Sequence, residues 1–196
     1  MRGFFDQAPP KSKTKGMALE QGKYSIVYAD PPWNYNDKQG HRPLPYPSMS
    51  TEDIARLDVK GITNQDAFLF IWVTFPILPE IFKIMESWGF EYKTVAWGWV
   101  KTNPGNPLSL FTGMGHYTRA NLELLLLGKR GRIRVLNRAM VNVVHAPVEA
   151  HSKKPDFFRQ QILGLCGDLP RIELFARQKA PGWDCWGNEV ESDIIL

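Results

Sequence analysis

The feature that most constrains this chain is an apolar run rich in β-formers, Tyr24-Ser-Ile-Val-Tyr-Ala29, halted at once by Asp30-Pro31-Pro32. Two consecutive prolines can neither donate to a ladder nor continue a central strand, so the chain must turn there. Asp30 is thereby predicted at the carboxyl end of a buried strand. Downstream, strand-like and helix-like segments alternate. Ser50 is a predicted cap for a helix over 51–57, with Asp53 three positions on. Residues 67–73 read as a strong strand and 79–88 as a helix with Ile81, Phe82, Ile84, Met85 and Trp88 at helical spacing, closed by Gly89. Strands over 92–100, 122–127 and 141–145 follow, then a helix over 156–166 stopped at Gly167, and a last strand over 171–176. Such alternation predicts an α/β domain with a mostly parallel sheet, in which ligands bind beyond the carboxyl ends of the strands.

Residues 1–22 carry Pro9-Pro10 and a polar, basic run, and read as a flexible N-terminal arm; 23–196 read as a single domain. The segments 34–49 and 101–118 are too long for plain connectors and are expected to be functional loops. At 43% hydrophobic and 22% charged, the 196 residues match an ordinary globular protein rather than a disordered one. The longest apolar runs are too short to cross a bilayer and no signal peptide is visible, so a cytoplasmic location is expected. Cys166 and Cys185 form no CxxC pair and have no histidine cluster around them; neither a metal site nor a disulfide is expected. The net charge of +4 is compatible with a polyanion. Lys129, Arg130, Arg132, Arg134 and Arg138 lie close together without an intervening acid, and the first four are candidates for phosphate contact.

The tetrapeptide Asp30-Pro31-Pro32-Trp33 has a specific chemical use. An exocyclic adenine amine is a poor nucleophile because its lone pair is delocalised into the ring. Acceptors for both amine hydrogens draw that lone pair out; the Asp30 carboxylate can be one and the Pro31 carbonyl the other. The Trp33 indole can stack on a flipped-out base.

The same tetrapeptide resembles the signature of amino methyltransferases acting on nucleic acids, and with its tryptophan resembles the MT-A70 family, that of the catalytic subunit of the eukaryotic mRNA N6-adenosine methyltransferase and of many phage DNA adenine methyltransferases. Leu44-Pro-Tyr-Pro-Ser-Met49, Phe68-Leu-Phe-Ile-Trp-Val73, Trp99-Val-Lys-Thr-Asn103, Gly113-Met-Gly-His-Tyr117 and Arg171-Ile-Glu-Leu-Phe-Ala-Arg177, with Trp183 and Gly187-Asn188, are similar in order over about residues 24–189. The resemblance implies a Rossmann-like class I fold with helices on both sheet faces and a circularly permuted motif order, catalytic motif first. It implies S-adenosylmethionine as cofactor and the N6 amine of adenine as target. The closer likeness to phage-type members implies DNA rather than RNA. An inactive nucleic-acid-binding subunit of a methyltransferase pair is the rival from another class, and a homodimer is a possible assembly.

By the same resemblance Lys101 pairs with the cofactor carboxylate and Asn188 binds the ribose hydroxyls, with Glu189 beside it. Glu173 and Phe175 lie on the cofactor strand, His116 and Arg119 face cofactor or base, and Tyr46 lies beside the target base. Glu123 is expected to support the site, with Arg119 a candidate partner. His151-Ser-Lys-Lys-Pro155 resembles the segment opening the helix before the cofactor strand. One departure stands out: Arg177-Gln-Lys-Ala-Pro-Gly182 occupies the place of the glycine-rich turn after that strand.

Overall fold

The structure, a computed structural model, describes residues 22–34, 48–115, 117–150 and 153–196. Its first strand, β1 (Tyr24–Ala29), lies in the middle of the sheet and ends immediately before Asp30. The elements that follow are α1 (Thr51–Arg56), α2 (Val59–Ile62), β2 (Thr63–Val73), a 3-10 turn (Phe75–Ile77), α3 (Leu78–Ser87), β3 (Glu91–Asn103), β4 (Asn106–Leu110), β5 (Leu122–Arg130), β6 (Val143–Pro147), α4 (Phe157–Cys166), β7 (Arg171–Leu174) and β8 (Asp184–Trp186). Each predicted element is present within a few residues. The local chemistry acts as read: the Ser50 hydroxyl accepts from the Asp53 N–H at 3.0 Å, and Gly89 leaves α3 with φ +81°.

The strands form one sheet in the order β4-β3-β5-β2-β1-β7-β8, with β6 also paired to β3. Its two halves differ in direction. β2, β1, β7 and β8 run parallel, whereas β5 is antiparallel to both β2 and β3. Parallel pairings outnumber antiparallel ones by four to three, so the parallel character expected from the alternation is a bare majority. The predicted loop over 101–118 is in large part sheet: β3 runs on to Asn103 and turns at Gly105 into β4. Asn103 and Asn106 flank a tight reversal at Pro104-Gly105 that proline and glycine content alone reads as coil.

Side-chain alternation sorts the core onto the two faces. Val27 and Ala29 of β1 and Ala67, Leu69, Ile71 and Val73 of β2 face α1 and α3, meeting Ile54, Ile81, Ile84, Met85 and Trp88. The alternate residues Ile26, Tyr28, Phe68, Phe70 and Trp72 face α4, meeting Phe158, Ile162 and Cys166. Helices thus cover both faces. Buried indoles find hydrogen-bond acceptors, Trp88 Nε1 donating to the Ile54 carbonyl at 3.0 Å and Trp99 Nε1 to the Ala146 carbonyl at 2.9 Å. Cys166 and Cys185 are both buried free thiols. No helix among the described residues is long and apolar enough to cross a membrane.

Candidate active site

A cleft of about 460 Å³ opens where β1 and β7 end. Its near wall is the tetrapeptide. Burial of Pro31 and hydrogen bonds from the Trp33 N–H to the Pro31 carbonyl (2.9 Å) and from the Met49 N–H to the Pro32 carbonyl (2.8 Å) lock this turn. The Pro31 carbonyl keeps a second lone pair after that bond. Trp33 departs from its expected part: only 4% exposed, it is packed in the core with Ile54 and Met49. It lines the cleft as a wall and offers no open face on which a base could stack.

The Asp30 carboxylate is held by Lys154, whose ammonium lies 2.8 Å from each oxygen. The same ammonium stands 3.4 Å from Glu123, and Glu123 in turn pairs with Lys101. Four charges of alternating sign, Asp30, Lys154, Glu123 and Lys101, therefore run from the turn into β3. Burial pushes the Asp30 carboxyl above the ordinary carboxylate range, with Lys154 pulling it back down and Glu123 pushing it up. Burial also works against the charged form of Glu123, but Lys154 and Lys101 outweigh it and hold that carboxyl below its usual value. Lys154 is desolvated as well, yet Asp30 and Glu123 raise its pKa well above an ordinary lysine.

A second ion pair sits alongside. Arg159, in the first turn of α4, grips Glu173 of β7 through Nε at 2.6 Å and a second nitrogen at 2.8 Å. Burial raises the Glu173 carboxyl and Arg159 opposes it. Both cations ride over an aromatic floor: Lys154 lies 5.5 Å from the Trp72 ring centre and Arg159 5.9 Å from that of Tyr28. The floor is pinned by the Trp72 indole donating to the Tyr28 hydroxyl at 2.7 Å. Burial raises the Tyr28 phenol and keeps it protonated.

The far wall explains the missing glycine turn. Phe175, directly after β7, takes φ +61°, a left-handed conformation that is costly for a bulky residue. Its ring meets Trp186 edge-on at 5.3 Å. Strain of this kind at a cleft is a mark of function. The close approach that glycine usually allows is supplied instead by Gly187: a Cβ there would lie 2.1 Å from the Ala176 carbonyl oxygen. Asn188 follows at the exposed rim of the cleft, and Glu189 pairs with Arg177 at 2.8 Å.

The structure thus gathers Asp30, Pro31, Pro32, Trp33, Glu173, Phe175, Asn188 and Glu189 around one cleft. It sets other predicted residues elsewhere. Lys101 pairs with Glu123 and is not among the residues lining the cleft. Arg119 is exposed and outside that lining, and Glu123 takes Lys101 and Lys154 as partners instead of Arg119. Lys129 and Arg130 lie at the opposite end of the sheet. Because β5 is antiparallel, Arg130 faces Ala67 while Leu124 faces Val73, a span of roughly 20 Å at ~3.3 Å per residue. Arg130 there donates to the Lys60 carbonyl and Thr63 hydroxyl, and the Arg132 backbone N–H to Asp66; exposed Arg134 follows on the same excursion. Tyr46, His116 and the arm over 1–21 lie outside the described residues. Lys154 and Arg159 carry no assigned role in the sequence reading. The signal for Lys154 was present in Lys153-Lys154-Pro155; for Arg159 there was none, since its acidic partner is on another element.

A Rossmann-like sheet with a charged cleft beyond its parallel strands, an Asp-Pro-Pro-Trp turn on one wall and the end of β7 on the other define a methyltransferase fold. The chain belongs to the MT-A70 family, whose profile matches residues 24–189. It is similar to the type II methyltransferase M.MunI of a Mycoplasma species, 33% identical over 201 residues, covering 90% of this chain and 82% of that enzyme. It is also similar to the human N(6)-adenosine-methyltransferase catalytic subunit METTL3, 31% identical over 178 residues covering 89% of this chain and 30% of that protein. The Drosophila melanogaster MT-A70-like N(6)-adenosine-methyltransferase is 33% identical over 173 residues, 87% of this chain and 27% of that one. The chain therefore spans most of the mycoplasmal relative and about a third or less of the two animal ones.

Proposed function

We propose that this protein transfers a methyl group from S-adenosylmethionine to the N6 amine of adenine in DNA. The observation that carries the reading is the Asp30 carboxylate, fixed at a strand end on a proline-locked turn and held in the cleft by Lys154. Lys154 contacts both carboxylate oxygens, and each oxygen keeps a further lone pair to which the amine can donate. The free lone pair of the Pro31 carbonyl is the second acceptor, and the two together localise the nitrogen lone pair.

The cleft fits the proposed cofactor. Asn188 presents an amide at the rim for ribose hydroxyls, and the Gly187–Ala176 contact lets the chain approach closely. When bound, S-adenosylmethionine supplies a methyl group already activated on a sulfonium. The chain's own residues position and desolvate. Once the new N–C bond has formed, the surplus amine proton passes to Asp30, whose pKa burial keeps above that of an exposed aspartate. Activity should therefore fall, as pH is lowered, at a higher pH than an exposed aspartate would dictate.

DNA is favoured because the likeness extends over 82% of the mycoplasmal type II enzyme; likeness to METTL3 makes RNA the second reading. The test is transfer of tritiated methyl to matched single- and double-stranded DNA and RNA, followed by nucleoside digestion. N6-methyldeoxyadenosine is the expected product. Label in RNA alone would replace the polymer, methylcytosine would replace the base, and no label with any substrate would favour an inactive subunit.

A further inference from the structure

Lys101 has no place in the cleft, yet it is not a solvated surface charge. Its ammonium pairs with Glu123, its side chain is 18% exposed, and it lies 5.1 Å from the Trp99 ring centre. The geometry has a cause in the strands. β5 begins at the site end of the sheet, so Glu123 stands opposite Trp99 of β3, two residues before Lys101. The Lys101 N–H donates to the Asn121 carbonyl at 2.8 Å, clamping the same two strands together. Glu123 has two oxygens and divides them between Lys101 (Oε1) and Lys154 (Oε2).

We propose that Lys101 is a positioning residue of the methyl-transfer site, acting through Glu123 to keep Lys154 on Asp30. The proposal rests on the function proposed above. Lys154 is shared by two anions, at 2.8 Å from Asp30 and 3.4 Å from Glu123. Lys101 neutralises the second of these from behind. Without it, Glu123 draws Lys154 toward β5 and away from Asp30, which then binds its proton more tightly. Without the charge on Glu123, Lys154 belongs to Asp30 alone, and Asp30 releases its proton more easily. Among the described residues, the other groups facing Asp30 are Tyr28 of β1, Glu173 of β7 and Arg177 beyond it; none of these three is paired with Lys101, so they supply the same background in every variant.

The two substitutions therefore move Asp30 in opposite directions, which loss of structure would not do. In the full chain with 13C-labelled aspartate carboxyls, the Asp30 signal, assigned by Asp30→Asn, should titrate roughly one pH unit higher in Lys101→Met than in the parent, the scale of one removed neighbouring charge. It should return to the parent position in Lys101→Arg and move downward in Glu123→Gln. The acidic limb of the kcat/KM profile for methyl transfer should follow the same order, with the dissociation constant for S-adenosylmethionine within about threefold of the parent in Lys101→Met. An unmoved Asp30 titration in Lys101→Met overturns the proposal, above all if cofactor affinity falls instead, which would make Lys101 a cofactor ligand. Should Lys101→Met not fold, Glu123→Gln decides alone: an upward or absent shift sinks the relay. If the carboxyl titrations move as expected and the parent methylates no nucleic acid, the relay stands and the proposed function falls.

Discussion

The two ends of this sheet each gather several charged residues and use them differently. At the end where β1 and β7 finish, Asp30, Lys154, Glu123, Arg159 and Glu173 are largely withdrawn from water and each is committed to a partner of opposite sign. At the other end, Lys129, Arg130, Arg132 and Arg134 are half-buried or exposed, and the contacts that Arg130 and Arg132 make there serve the fold. Charge count does not separate the two; desolvation and pairing do. Water screens an exposed cation almost entirely, while a desolvated pair fixes geometry and shifts proton affinity. The difference teaches that a basic run in a sequence is weak evidence for a site, whereas opposite charges brought together from distant elements are strong evidence.

The largest effect expected from breaking the paired end is that of Asp30→Ala. Methyl transfer should drop by about 10²- to 10³-fold or more, the scale of losing one pre-organised hydrogen-bonding group, while calorimetry shows S-adenosylmethionine still binding. Retained turnover would remove Asp30 from its proposed role. Lys154→Met comes next. It strands Asp30 without its counter-ion, and removal of one partner from a buried pair costs about 3–5 kcal/mol, readable by denaturant unfolding at neutral pH. The sign with pH is fixed: the folded-state carboxyl, already raised by burial, then binds its proton more tightly than in the unfolded chain, so the deficit should shrink as pH falls through that raised pKa. A deficit that is constant between neutral and acidic pH would show that packing, not charge, was lost.

Asn188→Ala should be milder. Loss of one amide contact with the ribose corresponds to about 1–1.5 kcal/mol, hence roughly tenfold in cofactor dissociation constant, with kcat at saturation little changed. Unaltered cofactor affinity would place the ribose elsewhere. The smallest effect is expected at the other end. Lys129→Gln, Arg132→Gln and Arg134→Gln together should leave kcat within about twofold, and each should lower the salt dependence of nucleic-acid binding only if it touches a phosphate, by a slope of about one. A large fall in kcat from this triple variant would break the distinction between the two ends.

Much of this was legible in the sequence because it is local. Strand β1 and its arrest depend on residues 24–32 alone, the cap of α1 on Ser50 and Asp53, and the two faces of β2 on strict alternation between aliphatic and aromatic residues over 67–73. Asp30-Pro31-Pro32-Trp33 announced its own turn for the same reason. Illegible were facts that depend on which strands lie side by side. The burial of Trp33 goes with a bridge to Met49 across the segment between them, and the left-handed Phe175 breaks what reads as continuous strand over 171–176.

What the sequence by itself determined, then, is the order of elements, the proline turn at the end of β1, and membership in a family of methyltransferases. What only the tertiary structure decided is the company Asp30 keeps. The direction of β5 settles it: running antiparallel to β2, that strand delivers its first acidic residue, Glu123, to the cleft and carries Lys129 and Arg130 to the far end. A chain read one residue at a time shows a strand followed by a basic run. Hydrogen bonding to β2 and β3 reverses which end of it matters, because strand direction is a property of the pairing and not of the residues paired.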